Sequence, residues 1–149
     1  MATTAADRLF VDTNILIHAS IRASSLHSLA VQRLEEHYQA GTEIWISRQI
    51  LREFMAAVTR PQPISPALPV NTVVSEARFY EARFRVANED TEITDRLFEL
   101  LLRIPAGGKH IHDANIVATM QATGITHLLT ENTSDFARYA GLINVVSLT

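Results

Sequence analysis

The fold of this chain is decided by nine residues, Leu9-Phe10-Val11-Asp12-Thr13-Asn14-Ile15-Leu16-Ile17. A carboxylate lies here between two apolar runs, and the first run is long enough for one buried strand. A charge in an apolar interior is costly unless a partner or an ion neutralises it. The simplest arrangement puts Asp12 at the carboxyl end of the first strand, where an α/β sheet opens into a crevice. The rest of the sequence should then contain the residues that act together with Asp12 at this edge of the sheet.

Length and composition predict one soluble globular domain over residues 1–149, because the chain is long enough to bury a core without cross-links. The absence of cysteine excludes disulfides, thiolate zinc sites and cysteine nucleophiles. A net charge of −3 argues against broad, non-specific coating of nucleic acid but allows a local basic rim. No apolar run is long enough to span a membrane, and the N-terminus lacks a basic signal start, so we expect a cytoplasmic protein.

Strand-like and helix-like segments alternate along the chain, which is typical of an α/β fold with a mostly parallel sheet. A connection at 60–69 carries four of the five prolines and must interrupt the helices. The predicted strands cover residues 9–11, 43–46, 84–87 (an edge strand), 126–129 and 143–146. The predicted helices cover residues 13–21, 26–39, 50–59, 71–81, a segment around 97–102, 111–123 and a short segment near 134–139. Ser47, at the end of the second strand, is a plausible N-cap of the third helix.

Four carboxylates fall at comparable places in this outline, namely Asp12, Glu53, Asp113 and Asp135. Each follows a strand or lies in the first turns of the helix after a strand or loop. In a parallel sheet with short connections, such positions meet at the carboxyl edge. The sequence therefore predicts one acidic cleft.

Carboxylates that converge in one cleft repel each other and raise their own pKa values, and a divalent cation between them removes that cost. Oxygen ligands without cysteine or a histidine pair suit Mg²⁺ or Mn²⁺. Such an ion lowers the pKa of a bound water and binds a phosphate oxygen, which is what phosphodiester hydrolysis requires. Asn14, Thr130 and Asn132 are expected to orient the carboxylates as neutral neighbours.

Four motifs resemble those of the PIN domain family in order and approximate spacing: 10–16 around Asp12, 49–54 around Glu53, 112–114 around Asp113, and 130–136 around Asp135. The resemblance implies a three-layer α/β/α sandwich with a mostly parallel sheet of about five strands. It also implies metal-dependent cleavage of single-stranded RNA, with these four acids as catalytic metal ligands. A chain of this size most resembles the VapC-type toxins, whose antitoxin partners fold over the site.

Several assignments around the cleft have two readings. Glu131 is also acidic, and it could replace Asp135 as the fourth acid or supplement it by orienting the metal ligands. His110 and His112 are two positions apart on a helix and cannot face one metal together, so we expect them at the rim. Arg48, Arg52 and Lys109 can steer a phosphate backbone of single-stranded or structured RNA, although solvated surface charge explains each one equally well.

Two other functions are compatible with parts of this pattern. A phosphatase that forms an aspartyl-phosphate also starts from a strand-end aspartate, but it needs a second acid two residues later, where this chain has Asn14. A PIN-like binding or scaffold protein without productive catalysis is the non-enzymatic alternative. The apolar helix faces at 26–34 and 97–102 exceed what a small core needs, which favours a homodimer.

Overall fold

A five-stranded, all-parallel sheet runs through the centre of the molecule, in a computed structural model that describes residues 7–149. Its strand order is β3-β2-β1-β4-β5, and every neighbouring pair is parallel. The strands are β1 (Arg8–Val11), β2 (Glu43–Ser47), β3 (Arg85–Ala87), β4 (His127–Leu129) and β5 (Asn144–Val146). The predicted α/β class, the number of strands and the edge position of β3 are confirmed.

Helices connect the strands in the predicted order. They are α1 (Thr13–Ser20), α2 (His27–Gln39), α3 (Arg48–Val58), α4 (Val70–Arg83), α5 (Thr91–Arg103), α6 (His110–Thr123) and a 3-10 helix (Thr133–Tyr139). Helix α3 begins directly after Ser47, whose side chain accepts the N–H of Ile50 at 3.2 Å, so the predicted N-cap is confirmed. Helix α6 ends at Gly124, whose φ of 71° suits glycine.

The direction of winding reverses beside β1. The connections through α1–α4 run from β1 out to β3, and those through α5, α6 and the 3-10 helix lead to β4 and β5 on the other side. Right-handed crossovers in opposite directions put their helices on opposite faces of the sheet, which gives the three-layer sandwich. A crevice therefore opens between the carboxyl ends of β1 and β4.

The core lies on both faces of β1, where Phe10 and Val11 are fully buried. Helix α2 contributes Ala30 and Leu34 to the same core. The prediction that the face at 26–34 is surplus apolar surface is therefore wrong for its central residues, because that face packs inward. Within residues 7–149 no helix is long and apolar enough to cross a membrane. The assignment of residues 1–149 to one domain stays a prediction.

Candidate active site

Asp12 follows β1 directly and lies at the crevice, with 5% of its surface exposed. Its Oδ1 accepts the backbone N–H of Thr13 at 2.7 Å, so the side chain caps α1. Its Oδ2 accepts the Thr130 hydroxyl at 2.7 Å and the Asn14 side-chain amide at 3.1 Å. The carboxylate is thus held by residues that follow β1 and β4, the two strands that border the crevice.

Burial is the main influence on the charge of Asp12, and it raises the pKa of this carboxyl to about 6. The hydrogen bonds from Thr130 and Thr13 lower the pKa, whereas the carboxylates of Glu53 and Asp113 raise it. Because the charges of Glu53 and Asp113 influence the pKa of Asp12, both residues lie near Asp12 in space. When Asp12 is ionised, its negative charge is therefore buried beside two other carboxylates, those of Glu53 and Asp113.

Glu53 reaches the same crevice from the second turn of α3, and its two oxygens are held from different helices. The Thr13 hydroxyl donates to Oε2 at 2.9 Å, and the Gln49 side-chain amide donates to Oε1 at 2.9 Å. Thr13 thus donates a hydrogen bond to the Asp12 side chain from its backbone N–H and another to Glu53 from its hydroxyl. These bonds fix the carboxylate of Glu53 beside that of Asp12.

Asp113 lies in the first turn of α6 and has 24% of its side chain exposed. Its Oδ2 lies 3.2 Å from Nδ1 of His110. Burial raises the pKa of Asp113, the contact with His110 lowers it, and the carboxylates of Asp135 and Glu53 raise it further. Asp135, in the first turn of the 3-10 helix, therefore lies near Asp113. The structure brings all four predicted acids to one edge of the sheet.

A family model describes this combination of fold and acidic residues. The PIN domain model matches residues 9–142. The chain belongs to the PIN domain family. Comparison with curated protein sequences found no match.

Several solved structures share the fold of this PIN domain. VapBC2 from Rickettsia felis, bound to a DNA fragment from its promoter, has 19% identity and a TM-score of 0.71, over 94% of this chain and 98% of that one. A toxin–antitoxin complex from Klebsiella pneumoniae has 27% identity and a TM-score of 0.66, over 95% and 98%. VapC20 from Mycobacterium tuberculosis, a sarcin-ricin loop cleaving toxin, has 17% identity and a TM-score of 0.64, over 91% and 96%.

The Thr130 hydroxyl connects the uncharged polar groups that surround the acids of the PIN site. It donates to Asp12 and accepts from the Asn14 side-chain amide at 3.1 Å and from the backbone N–H of Asn132 at 3.0 Å. A hydroxyl has one donor and two acceptor positions, so all three are used. Asn132 contributes here through its backbone, whereas Asn14 and Thr130 contribute through their side chains.

Glu131 is oriented differently from the four acids. Its backbone N–H donates to Oδ1 of Asn14 at 3.1 Å, but its carboxylate accepts the backbone N–H of Leu148 at 2.6 Å and the Ser147 hydroxyl at 3.3 Å. The side chain therefore anchors the segment after β5. Asp135, by contrast, lies near Asp113 and influences its pKa.

Of the predicted basic residues, Arg48 is partly buried, Arg52 and Lys109 are exposed, and the two arginines are paired with glutamates. Arg48 forms an ion pair with Glu81 of α4, and Arg52 donates to both oxygens of Glu89 at 2.9 and 3.1 Å. Lys109, at the start of α6, is exposed. The glutamate partners reduce the net positive charge that Arg48 and Arg52 can offer to a phosphate.

Sequence reasoning missed the polar contacts that join α3 to α6. Gln49 is 5% exposed and donates to the backbone carbonyl of His112 at 2.9 Å, while Asn115 donates to Oε1 of Gln49 at 2.7 Å. The side chain of His112 itself is exposed at the rim. The signal available in the sequence was the spacing of Gln49 four residues before Glu53, which puts both on one helix face.

The chemistry of the site suits a hard divalent cation. Its charged groups are all carboxylates, and the pKa of Asp12 is raised because a buried anion there lacks a counter-charge. Mg²⁺ and Mn²⁺ prefer such oxygen ligands. Among residues 7–149, however, no three acidic or imidazole side chains are arranged to hold a metal ion as they stand. The acidic residues fit a divalent cation by their negative charge and by their oxygen donors.

Proposed function

We propose that this PIN domain is a Mg²⁺- or Mn²⁺-dependent endoribonuclease that cleaves single-stranded RNA. The observation that carries the proposal is the electrostatic coupling of Asp12 to Glu53 and Asp113, and of Asp113 to Asp135. Four acids at one edge of a sheet repel each other when ionised, and a bound cation would offset that repulsion. The shared fold of VapC20, a sarcin-ricin loop cleaving toxin, supports the proposed reaction class.

Each acid has a proposed role. Asp12 and Asp113 hold the metal ion, Asp135 defines a second cation position, and Glu53 either holds the ion or accepts the proton of the attacking water. When bound, the divalent ion supplies positive charge that stabilises the charge developing on the phosphodiester. Thr13 keeps Glu53 oriented towards the crevice through the bond to Oε2.

RNA is proposed to approach the site across its basic and imidazole rim. Lys109, His110 and His112 lie around the start of α6, next to Asp113. Arg48 and Arg52, at the start of α3, are further candidates for phosphate contacts once their glutamate partners are displaced. Such contacts position the strand, and they carry no base preference by themselves.

We propose that the biological role is that of the toxin in a toxin–antitoxin pair in the cytoplasm. The complex from Klebsiella pneumoniae, which is 27% identical over nearly the full length of both chains, supports this role. An antitoxin should insert an arginine or lysine among the acids, because its charge replaces that of the metal. A small DNA-binding protein encoded next to this gene is the expected partner.

We also propose a homodimer, formed through the outer face of α5. Leu102 is 85% exposed and Phe98 is 59% exposed, one turn apart on the same helix. Neighbouring exposed apolar side chains on one helix face are typical of a protein–protein contact surface. The face contains no member of the acidic cluster, so dimer formation leaves the crevice open.

A PIN-like binding protein without catalysis remains the second candidate. It is favoured by one observation, namely that no three acidic side chains within residues 7–149 are arranged to hold an ion as they stand. Calorimetric titration with Mn²⁺ discriminates between the two functions. A catalytic site binds the ion at millimolar concentration or below, whereas a scaffold shows no heat of binding.

The direct test is cleavage of single-stranded RNA in a titration with Mg²⁺ or Mn²⁺. Cleavage is expected only with metal, and Asp12→Asn or Asp113→Asn should abolish it. Asp95→Asn is the matched control, because Asp95 is an exposed aspartate of α5. Cleavage that persists in both site variants would contradict the proposed mechanism.

A further inference from the structure

Gln49 is a buried polar residue whose amide connects two acid-bearing helices. It lies on α3, one turn before Glu53, and 5% of its surface is exposed. Its Nε2 donates to Oε1 of Glu53 and to the backbone carbonyl of His112, both at 2.9 Å. Its Oε1 accepts the Asn115 side-chain amide at 2.7 Å. Both protons of the nitrogen are therefore used.

The orientation of this amide is determined by its partners. A carboxylate and a backbone carbonyl only accept hydrogen bonds, so the NH₂ group must face Glu53 and His112. Asn115 then presents its own NH₂ group to the remaining oxygen of Gln49. A flipped amide would put oxygen against oxygen at two contacts. One arrangement is consequently much favoured over the alternative.

We infer that Gln49 is a positioning residue that sets the separation between Glu53 and the first turn of α6. His112 directly precedes Asp113, so a bond to its carbonyl fixes the backbone that carries that acid. The same nitrogen holds one oxygen of Glu53, and Thr13 holds the other. The inference rests on the proposed metal-dependent function, because the geometry that Gln49 maintains is that of the cation ligands.

The substitution Gln49→Leu removes the amide at nearly constant volume. Glu53 then keeps only the bond from Thr13 and gains freedom to turn away from Asp12 and Asp113, which repel it. Removing an outer partner of a metal ligand typically weakens metal affinity by about 10- to 100-fold. We expect a weakening of Mn²⁺ affinity in this range.

The experiment is calorimetric titration of the RNA-free protein with Mn²⁺, for the wild type, Gln49→Leu and Thr119→Val. Thr119 is a matched control, because it is buried on α6 and its hydroxyl donates to the carbonyl of Asn115, away from the acids. Thr119→Val should lose stability but keep wild-type affinity. Circular dichroism establishes that each variant is folded at the temperature of the titration.

The outcomes separate this inference from the proposed function. Weaker Mn²⁺ binding in Gln49→Leu, with unchanged binding in Thr119→Val, supports the inference. Equal affinity in Gln49→Leu and the wild type overturns it and leaves the proposed function standing. A wild type that binds no Mn²⁺ overturns both.

A second variant covers the case in which Gln49→Leu does not fold. Asn115→Ala removes the donor to Oε1 of Gln49, one of the three hydrogen bonds that hold its amide, and leaves Gln49 itself in place. We expect a smaller loss of Mn²⁺ affinity than for Gln49→Leu, and a lower kcat for RNA cleavage with unchanged KM. Wild-type affinity together with wild-type kcat in this variant would overturn the inference.

Discussion

The hydroxyl of Thr130 donates a 2.7 Å hydrogen bond to Oδ2 of Asp12, across 118 positions of sequence. The two residues follow β4 and β1, which are neighbours at the point where the winding of the sheet reverses. The bond lowers the pKa of Asp12, against the stronger effect of burial. Thr130 therefore helps to keep the central acid ionised.

The substitution Thr130→Val should impair the site without changing the shape of the side chain. We expect the pKa of Asp12 to rise further and the free energy of unfolding to fall by about 1 to 3 kcal/mol, because a buried acceptor loses its donor. Urea denaturation at pH 8 measures the stability. Thr126→Val is the control, since Thr126 is exposed. Equal losses in both variants would contradict the role assigned to Thr130.

Metal-free protein should become less stable as the pH rises from about 4 to about 6. The pKa of Asp12 is about 6 in the folded state against an ordinary value of 3.8, so the folded state binds more protons in this range. The stability contributed by the protonated acid is present below the lower value and is lost as the pH passes the higher one. The total loss amounts to at most about 3 kcal/mol.

Urea denaturation in EDTA across this pH range measures the loss. The Asp12→Asn variant should show a flatter pH profile, because the titrating group is absent. Adding Mn²⁺ at pH 8, at roughly 100 times its Kd, should restore about 3 kcal/mol to the wild type. A wild-type profile identical to that of Asp12→Asn would show that Asp12 does not titrate in this range.

Glu131→Ala and Asp135→Asn should have opposite signatures. Glu131→Ala removes the acceptor of the Leu148 N–H, so the free energy of unfolding should fall by about 1 to 3 kcal/mol. Asp135→Asn should leave stability nearly unchanged but reduce RNA cleavage. Denaturation and cleavage assays on both variants test this. The assignment of Asp135 as the fourth acid fails if only Glu131→Ala loses cleavage at temperatures where both variants are folded.

Leu102→Glu should convert the proposed homodimer into a monomer, because a charge would be buried between the two copies of α5. Sedimentation velocity or light scattering at several concentrations measures the change in mass. Ile64→Glu is the control, since Ile64 is a 56% exposed apolar residue outside α5. A wild type that sediments as a monomer at all concentrations rules out the dimer.

The strands and the acidic edge were predictable because they depend on local pattern and on a general rule. The apolar run before Asp12 marks a buried strand, and parallel strands put the residues that follow them at one edge. Asp12, Glu53 and Asp113 could therefore be grouped before their distances in space were known. The start of α3 was also predictable, because a serine between a strand and a helical pattern is a typical N-cap, and Ser47 caps α3.

The contacts between helices were not predictable, because they depend on which helices become neighbours. Gln49 meets α6 only because β4 inserts beside β1, a fact that no local pattern of α3 contains. The pairing of Arg52 with Glu89 likewise depends on the approach of the loop after β3. Leu34 could not be assigned to the core rather than to a partner surface for the same reason.

The reversal of winding between β1 and β4 has a consequence for protein synthesis. Asp12 is made early, but Thr130 and strand β4, which complete its surroundings, are made more than a hundred residues later. A growing chain on the ribosome therefore holds its first acid long before the crevice can close around it. The emerging segment cannot assemble the acidic site until residue 130 has left the ribosomal tunnel.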